Sequence, residues 1–557
     1  MSIVDTGDLW WKSAVVYCLD VETFLDWNGD GVGDFAGLAH RIDYLAELGV
    51  TCLWLMPFYA TAGRDDGYDI VDFYAVDSRF GHFGDLVELM RLARSRGLRV
   101  IVDLVINHTS DKHPWFTASR SSRESPYRDY YVWRDTPPKK QPKPVFPDQE
   151  KSNWELDKKT GQYYQHMFYK AQPDLNVANP AVRDEIAKIM GFWAELGVNG
   201  FRVDAVPFLL ETAAIIGGDG ALPDPHEYLQ ALRSFLSRRV GDAVLLGEVN
   251  LPREDQLLFF GGPDGDELNM QFDFITMQKM YLSLARSDAG PLVEALQSRP
   301  VCSHDVQWAN FARNHDELTL DKLTDEERAE VFAAFGPEKR MQVYGRGIVR
   351  RLPPMLHGDQ RRIRMVYSLL FSMPGTPVLF YGEEIGMGEN LAREGRMAVR
   401  TPMQWNAGRN GGFSNAKKSP LIDAIVDGVF GPDRVNVEDQ LRDPDSQLGF
   451  IKRLIEHYRA SPELGWGTFE VLKQKHPAVL AHTLTWDGGR VVLLHNFADE
   501  PVDVHLRVPD GDESTTLSDL FTDETVQLTG AGAVDISLEG YGFRWLRLVS
   551  ETDVRRY

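Results

Sequence analysis

Short apolar runs alternate with segments of helical periodicity along most of the chain. Ala14–Leu19 (AVVYCL), Thr51–Leu55 (TCLWL) and Arg99–Val105 (RVIVDLV) are nearly unbroken apolar stretches. They read as buried strands. Between them, Leu38, Ile42 and Leu45 recur with Arg41, Asp43 and Glu47 interleaved. Leu86, Leu89, Met90 and Ala93 mark another helix, closed by Gly97. Asn179 and Pro180 open a third, which buries Ile186, Ile189, Met190 and Trp193 and stops at Gly197. Further strands are expected at Gly200–Val206, Ala243–Val249, Asn269–Phe274, Gln307–Asn314 and Thr376–Tyr381. Continuous apolar strands alternating with helices imply a parallel sheet covered by helices. About eight such units predict an α/β fold of the (β/α)₈ barrel type. An open doubly wound sheet would place a Gly-rich turn after its first strand, and Cys18–Phe24 (CLDVETF) is no such turn.

Two segments interrupt the alternation. Residues 109–176 follow the third strand, are rich in Tyr, Trp, Pro and Lys, and carry little periodicity, so they predict an inserted subdomain. Residues 318–359 follow the seventh strand and form a charged, partly helical insertion. The barrel is therefore assigned to 1–108 and 177–465. From about Thr468 the pattern changes again: WDGG is a hairpin turn, and VVLLHNF, VDVHLRV and FRWLRLV alternate as strands. Residues 466–557 are expected to form a C-terminal antiparallel β-sandwich.

The chain has 557 residues and a formal net charge of −22, which disfavours a nucleic acid held on a basic face. The 43% hydrophobic content supports a large core. Three widely spaced cysteines, Cys18, Cys52 and Cys302, suit a reducing compartment rather than a disulfide framework. The first residues have no apolar signal segment, and the longest apolar run is broken by Pro374 and Pro377. A cytoplasmic protein without a membrane partner is expected. Self-association into a homo-oligomer is left open.

Charged groups appear where apolar strands emerge. The third strand runs into Asp103, Asn107 and His108; the fourth carries Arg202 and Asp204; the fifth ends at Glu248; the seventh ends in Asn314, His315, Asp316 and Glu317. In a barrel these positions share the C-terminal face. Cleaving a glycosidic bond with retention needs one ionised carboxylate and one protonated carboxylic acid, roughly 5–5.5 Å apart. Arg202, two residues before Asp204 on the same face, would keep that carboxylate ionised. Glu248 follows an apolar run, where burial favours the protonated acid. Asp316, His108 and His315 can bind hydroxyls.

The strings DLVINH, GFRVDAV, GEVN and FARNHDE resemble, in order and spacing, the four conserved motifs of the α-amylase family (glycoside hydrolase family thirteen). The resemblance covers nearly the whole chain. It implies Asp204 as nucleophile, Glu248 as general acid/base and Asp316 as transition-state stabiliser, with Arg202, His108 and His315 binding sugar. RDDGYDI supplies Asp65 and Tyr68, matched in relatives to the closed end of a pocket for terminal glucose, and RTPMQW supplies Arg400, which the resemblance pairs with Asp65. Within the family, NHTSDKHPWF, QPDLN, ARNHDELTL and GTPVLFYGEEIGMG are most similar to the trehalose-synthase branch, whose members interconvert maltose and trehalose. Small α-glucosides such as maltose and trehalose are the expected substrates. The alternatives are an exo-acting α-glucosidase or a transglucosylase, and, more remotely, a non-catalytic binding subunit. Two departures stand out: Glu22 in the first strand's extension, and VNLPRED after Glu248, which lacks a Trp of the synthases.

Asp26, Asn28, Asp30 and Asp34 alternate around a Gly-rich turn, a spacing that suits Ca²⁺, although Gly37 replaces the closing Glu of an EF-hand. Similar loops in related α-glucosidases bind Ca²⁺ or Mg²⁺ through the matching side chains and the carbonyl of Val32. A second site is implied by resemblance at Asn107, Asp174 and Glu211. Either ion would be structural.

Overall fold

The computed structural model describes residues 7–215, 224–417, 420, 428–522 and 524–550. Eight parallel strands close into a barrel: β1 (Val16–Leu19), β2 (Cys52–Leu55), β3 (Arg99–Leu104), β4 (Gly200–Val203), β5 (Val244–Gly247), β6 (Met270–Phe272), β7 (Gln307–Phe311) and β8 (Thr376–Phe380). Each strand pairs with its neighbours in chain order, and β8 closes on β1 through Val16 opposite Val378. The strands are short and buried almost throughout, which is why they read as apolar runs without alternation. Helices such as Phe83–Ser95 and Pro180–Glu195 turn their apolar stripes onto the barrel. Asn179 caps the latter by accepting from the Ala181 N–H, with Pro180 in its first turn.

The β4–β5 junction depends on a glycine. Gly200 has φ +152°, and a Cβ there would lie 2.2 Å from the Val244 carbonyl oxygen. The strands approach this closely because Val244 pairs opposite Gly200, a register that sets Leu246 beside Arg202 and Gly247 beside Val203. Asp103 on β3 pairs opposite Arg202.

The segment after β3 builds a small three-stranded sheet from Trp133–Arg134, Gln162–Gln165 and Trp154–Asp157. The segment after β7 contributes another, from Leu318–Thr319, Gly347–Ile348 and Gln342–Val343, and the capped helix Asp325–Phe335. From Thr468 onward the chain forms a six-stranded antiparallel sheet and a two-stranded partner, Val502–Arg507 with Ala533–Leu538. Their inner faces enclose a separate apolar cluster that includes Leu494, Val504, Leu517 and Leu546. Among the described residues, no helix is long and apolar enough to cross a membrane.

Candidate active site

A cavity of about 470 Å³ opens at the C-terminal ends of the barrel strands. Asp65, Tyr68, His108, Asp204, Glu248 and Asp316 all line it. Arg202 organises its floor. Its guanidinium donates to Asp103 at 2.5 Å, Asp204 at 2.6 Å and Glu248 at 2.6 Å. Asp103 is wholly buried and also accepts from the Trp54 indole at 2.7 Å, so it anchors the arginine from behind. Adjacent strand ends set this geometry: the Glu248 N–H donates to the Val203 carbonyl, and the Asp204 N–H to that of Leu104. Immediately after Asp204 the backbone turns through Ala205 at φ +50°, a left-handed conformation held within the site.

The carboxyls differ in their readiness to ionise. Burial pushes Asp204 up to about 6 against the pull of Arg202, so the cation alone does not set its charge as the sequence suggested. Burial pushes Glu248 higher, to about 7, again opposed by Arg202 and helped by Asp204. Burial also opposes ionisation of Asp316, but His315, Arg396 and Arg400 together hold it well below the usual carboxylate range. Burial drives His315 itself well below its ordinary value. Its ring is therefore neutral at pH 7, and the cationic pull on Asp316 comes from the two arginines. At neutral pH the site holds an ionised Asp204, a partly protonated Glu248 and an ionised Asp316.

One expected pairing is corrected. Arg400 does not meet Asp65; it pairs with Asp66 and with Asp316 at 2.9 Å. Arg396 takes Asp65 at 2.8 Å and Asp316 at 2.7 Å. The reason lies in the turn: Asp66 adopts φ +50°, and the two adjacent acids reach separate guanidiniums. Arg396 lies four residues before Arg400, and that repeat was the only signal of it in the sequence. Gln172, also missed, donates from its amide to Asp65 at 2.9 Å and lies 3.1 Å from His108 Nε2. It belongs to the QPDLN string, whose chemical role periodicity does not reveal.

Of the sugar-binding candidates, Asp65, Tyr68 and His108 line the cavity, whereas Arg202, His315 and Arg400 are buried behind its wall. His315 Nε2 is 2.8 Å from the Tyr68 hydroxyl, with the two rings stacked at 5.7 Å. These three residues position the groups that face the cavity. Phe146, Phe168, Phe208, Asn250 and Leu251 also line the cavity. Asn250 and Leu251 belong to the VNLPRED string that follows Glu248. Asn250 donates to Asp321 at 3.0 Å. Glu22 does not face the cavity; it is buried against Arg79 at 3.1 Å.

In the Gly-rich loop, side chains close on backbone amides. Asp26 accepts from Gly29 and Gly31, Asn28 from Asp30, Asp30 from Val32, and Asp34 from Trp27, Asn28 and Gly37. No Lys or Arg pairs with its three acids among the described residues. Asn107 donates to Asp174 at 3.3 Å, and the Asn107 Oδ1 and Asp174 Oδ2 atoms are buried without partners. Burial raises the Asp174 carboxyl to about 8. Glu211 lines the cavity and is not hydrogen-bonded to either among the described residues.

A closed parallel barrel with paired carboxylates at its strand ends, backed by arginine, is the architecture of a glycoside-acting enzyme. The α-amylase catalytic-domain model matches residues 20–335 and 349–467, and a sucrose hydrolase-like C-terminal domain model matches 488–547. The chain belongs to the α-amylase family. It is 41% identical over 554 residues to trehalose synthase of Pimelobacter sp. (strain R48), covering 97% of this chain and 96% of that one. It is 31% identical over 557 residues to oligo-1,6-glucosidase of Parageobacillus thermoglucosidasius, covering 90% and 92%. Trehalulose synthase MutB of Pseudomonas mesoacidophila MX-45 superposes with a TM-score of 0.74 at 28% identity, covering 97% of this chain and 99% of that one. The protein is a trehalose-synthase-like enzyme of this family.

Proposed function

We propose that the enzyme interconverts maltose and trehalose through a covalent glucosyl-enzyme, with some hydrolysis. One observation carries the reading: a single Arg202 guanidinium bridges Asp204 and Glu248 at a cavity that the paired Asp65 and Arg396 also line. That bridging suits the roughly 5–5.5 Å spacing of a retaining pair better than the wider inverting one. Asp204 attacks the anomeric carbon while Glu248 gives its proton to the leaving oxygen. Glu248, now ionised, then takes a proton from the incoming hydroxyl as that oxygen displaces Asp204. Asp316, ionised between two arginines, holds ring hydroxyls, and Asp65 with Tyr68 and His108 holds the terminal glucose. A pocket closed at one end by the Asp65–Arg396 pair would admit the terminal glucosyl unit only. If the released glucose stays in place, turns over and attacks through its anomeric hydroxyl, maltose becomes trehalose. Confinement decides this, because one held sugar must compete with bulk water.

The likeness to oligo-1,6-glucosidases and the absence of a Trp from the VNLPRED string after Glu248 favour simple hydrolysis as the second reading. Proton NMR of a maltose incubation separates the two. A trehalose anomeric signal is expected; glucose as the sole product at every time point would make the protein an α-glucosidase.

Divalent cations belong to the same proposal. Asp26, Asn28, Asp30, Asp34 and the Val32 carbonyl would hold Ca²⁺ or Mg²⁺, supported by three acids without a basic partner among the described residues. Asn107, Asp174 and Glu211 would hold Ca²⁺, supported by the two orphaned acceptors of Asn107 and Asp174. The ions would neutralise these acids and stiffen the loops.

A further inference from the structure

The strands Tyr59–Thr61 and Ile70–Val76 pair as a hairpin, and the turn between them carries Asp65, Asp66 and Tyr68. That turn departs from ordinary backbone geometry. Gly63, Asp66 and Gly67 are all left-handed, at φ +70°, +50° and +95°. A Cβ on Gly67 would lie 2.6 Å from the Pro57 carbonyl oxygen, so the turn is pressed against the chain that leads into it. Within it the Tyr68 N–H donates to the Asp65 carbonyl at 2.9 Å, and at its base the Ala62 N–H reaches the Asp69 carbonyl at 3.4 Å.

Asp69 holds this turn from the inside. It is fully buried and does not line the catalytic cavity. Its Oδ1 gathers three donors: the Thr61 hydroxyl at 2.7 Å, the Arg64 N–H at 3.1 Å and the Asp65 N–H at 3.2 Å. Its Oδ2 is buried without a partner, and no Lys or Arg pairs with the carboxylate among the described residues; the Arg64 guanidinium goes to Asp111 at 2.8 Å instead. A buried carboxylate without a cation is costly. What it supplies here is an acceptor strong enough to fix two successive backbone N–H groups. The second of them belongs to Asp65, whose side chain meets Arg396 at 2.8 Å and the Gln172 amide at 2.9 Å. The residue before Asp69 is tied as well: His108 Nε2 lies 3.1 Å from the Tyr68 carbonyl, and the Gln172 amide donates to it at 3.4 Å.

We propose that Asp69 is a positioning residue for the terminal glucose: by holding the Asp65 N–H from behind the cavity wall, it sets where the Asp65 carboxylate stands. The proposal rests on the reading above in which Asp65 binds that glucose. A displacement of about 1 Å in such a group is enough to cost up to about 10²-fold in rate. The Oδ1 atom does the holding, so the position needs an acceptor there and needs no contact with the sugar.

Steady-state kinetics on maltose test the idea. Asp69→Ala should raise KM by about tenfold and change kcat by less than about threefold, because Asp204, Glu248 and Asp316 keep their own arginines. Asp69→Asn, which keeps an oxygen at the Oδ1 position, should recover most of that KM. In an Asp65→Ala background, Asp69→Ala should raise KM by less than about twofold more, since the group it positions is already gone. Native KM in Asp69→Ala, an Asp69→Asn enzyme as impaired as Asp69→Ala, or fully additive effects of Asp65→Ala and Asp69→Ala would each overturn the proposal while leaving the pocket reading in place. Native KM in Asp65→Ala alone would overturn both. If Asp69→Ala does not fold, Thr61→Val carries the test, because it removes one of the three donors to Oδ1. It should raise KM by about threefold, and an unchanged KM would overturn the proposal.

Discussion

Asp204 and Glu248 share one guanidinium yet differ in acidity, and that difference makes a directional pair. Asp204→Asn should lower turnover on any α-glucoside by about 10³-fold or more, because nothing else in the cavity can form the glycosyl bond. An unchanged thermal midpoint would show that the fold survived. Activity requires Asp204 ionised and Glu248 protonated. Turnover should fall as pH drops below about 6, where Asp204 gains its proton, and fall again as pH rises above about 7, where Glu248 loses its own. The two titrate as a linked pair, so the measured limbs belong to the pair. A flat kcat/KM profile from pH 5 to 8 would contradict these roles. On the cavity wall, Asp65→Ala and Arg396→Ala should both raise KM for maltose and lower kcat/KM by about 10²-fold. The reason is that each removes one side of the buried Asp65–Arg396 ion pair. Steady-state kinetics on maltose and trehalose would reveal either variant as near native.

At the scale of elements, the two insertions meet over the catalytic cavity. Arg346, from the segment after β7, donates to the Val145 carbonyl at 2.9 Å in the segment after β3. Phe146 packs between Tyr344 at 5.0 Å and Tyr169 at 4.6 Å, and the Arg396 guanidinium lies 5.1 Å over its ring. This contact links the cover to the same arginine that holds Asp65 and Asp316. Arg346→Ala and Tyr344→Ala should loosen the cover while sparing the paired carboxylates. Maltose consumption should persist, and the ratio of free glucose to trehalose should rise several-fold as water reaches the glucosyl-enzyme. Product ratios by NMR check this, and an unchanged ratio would remove the contact from any confining role.

At the scale of the whole molecule, the C-terminal sheet docks on the barrel helix Gln360–Ser372 through buried polar contacts. The Trp545 indole donates to the Ser368 hydroxyl at 2.9 Å, His495 Nε2 meets the same hydroxyl at 2.9 Å, and His482 Nε2 meets the Ser372 carbonyl at 2.9 Å. Burial lowers His482 to about 4 and His495 well below its ordinary value, so both are neutral in the folded protein. A histidine whose folded pKa is depressed binds its proton more readily when unfolded. Its contribution is intact above about 6.5 and is lost as pH falls toward 4, by up to roughly 3 kcal/mol for His482. Relative to His482→Gln, the native protein should therefore lose thermal stability faster between pH 7 and pH 4.5. Parallel melting curves over that range would refute the assignment.

Chelation acts at this scale too. If cations sit at the two proposed sites, treatment with a chelator should lower the melting temperature by several degrees, and Ca²⁺ should restore it. No shift in the melting curve would remove the ions from the structure.

The sequence by itself determined the barrel. Its strands are buried on both faces, so each is an apolar run, and its helices carry a stripe of apolar residues with caps and glycine stops that local chemistry dictates. It also determined which charged residues stand at strand ends, because an acid directly after an apolar run has only the rim to occupy. Tertiary structure decided which of those charges meet. Arg396, not Arg400, holds Asp65, since the direction of two adjacent acids depends on one left-handed residue at Asp66. Burial, which no linear pattern measures, sets Asp204 near 6 and Glu248 near 7 beside one shared arginine. The cover over the cavity joins Val145 to Arg346, 201 positions apart in the chain, a contact that only the folded path brings together.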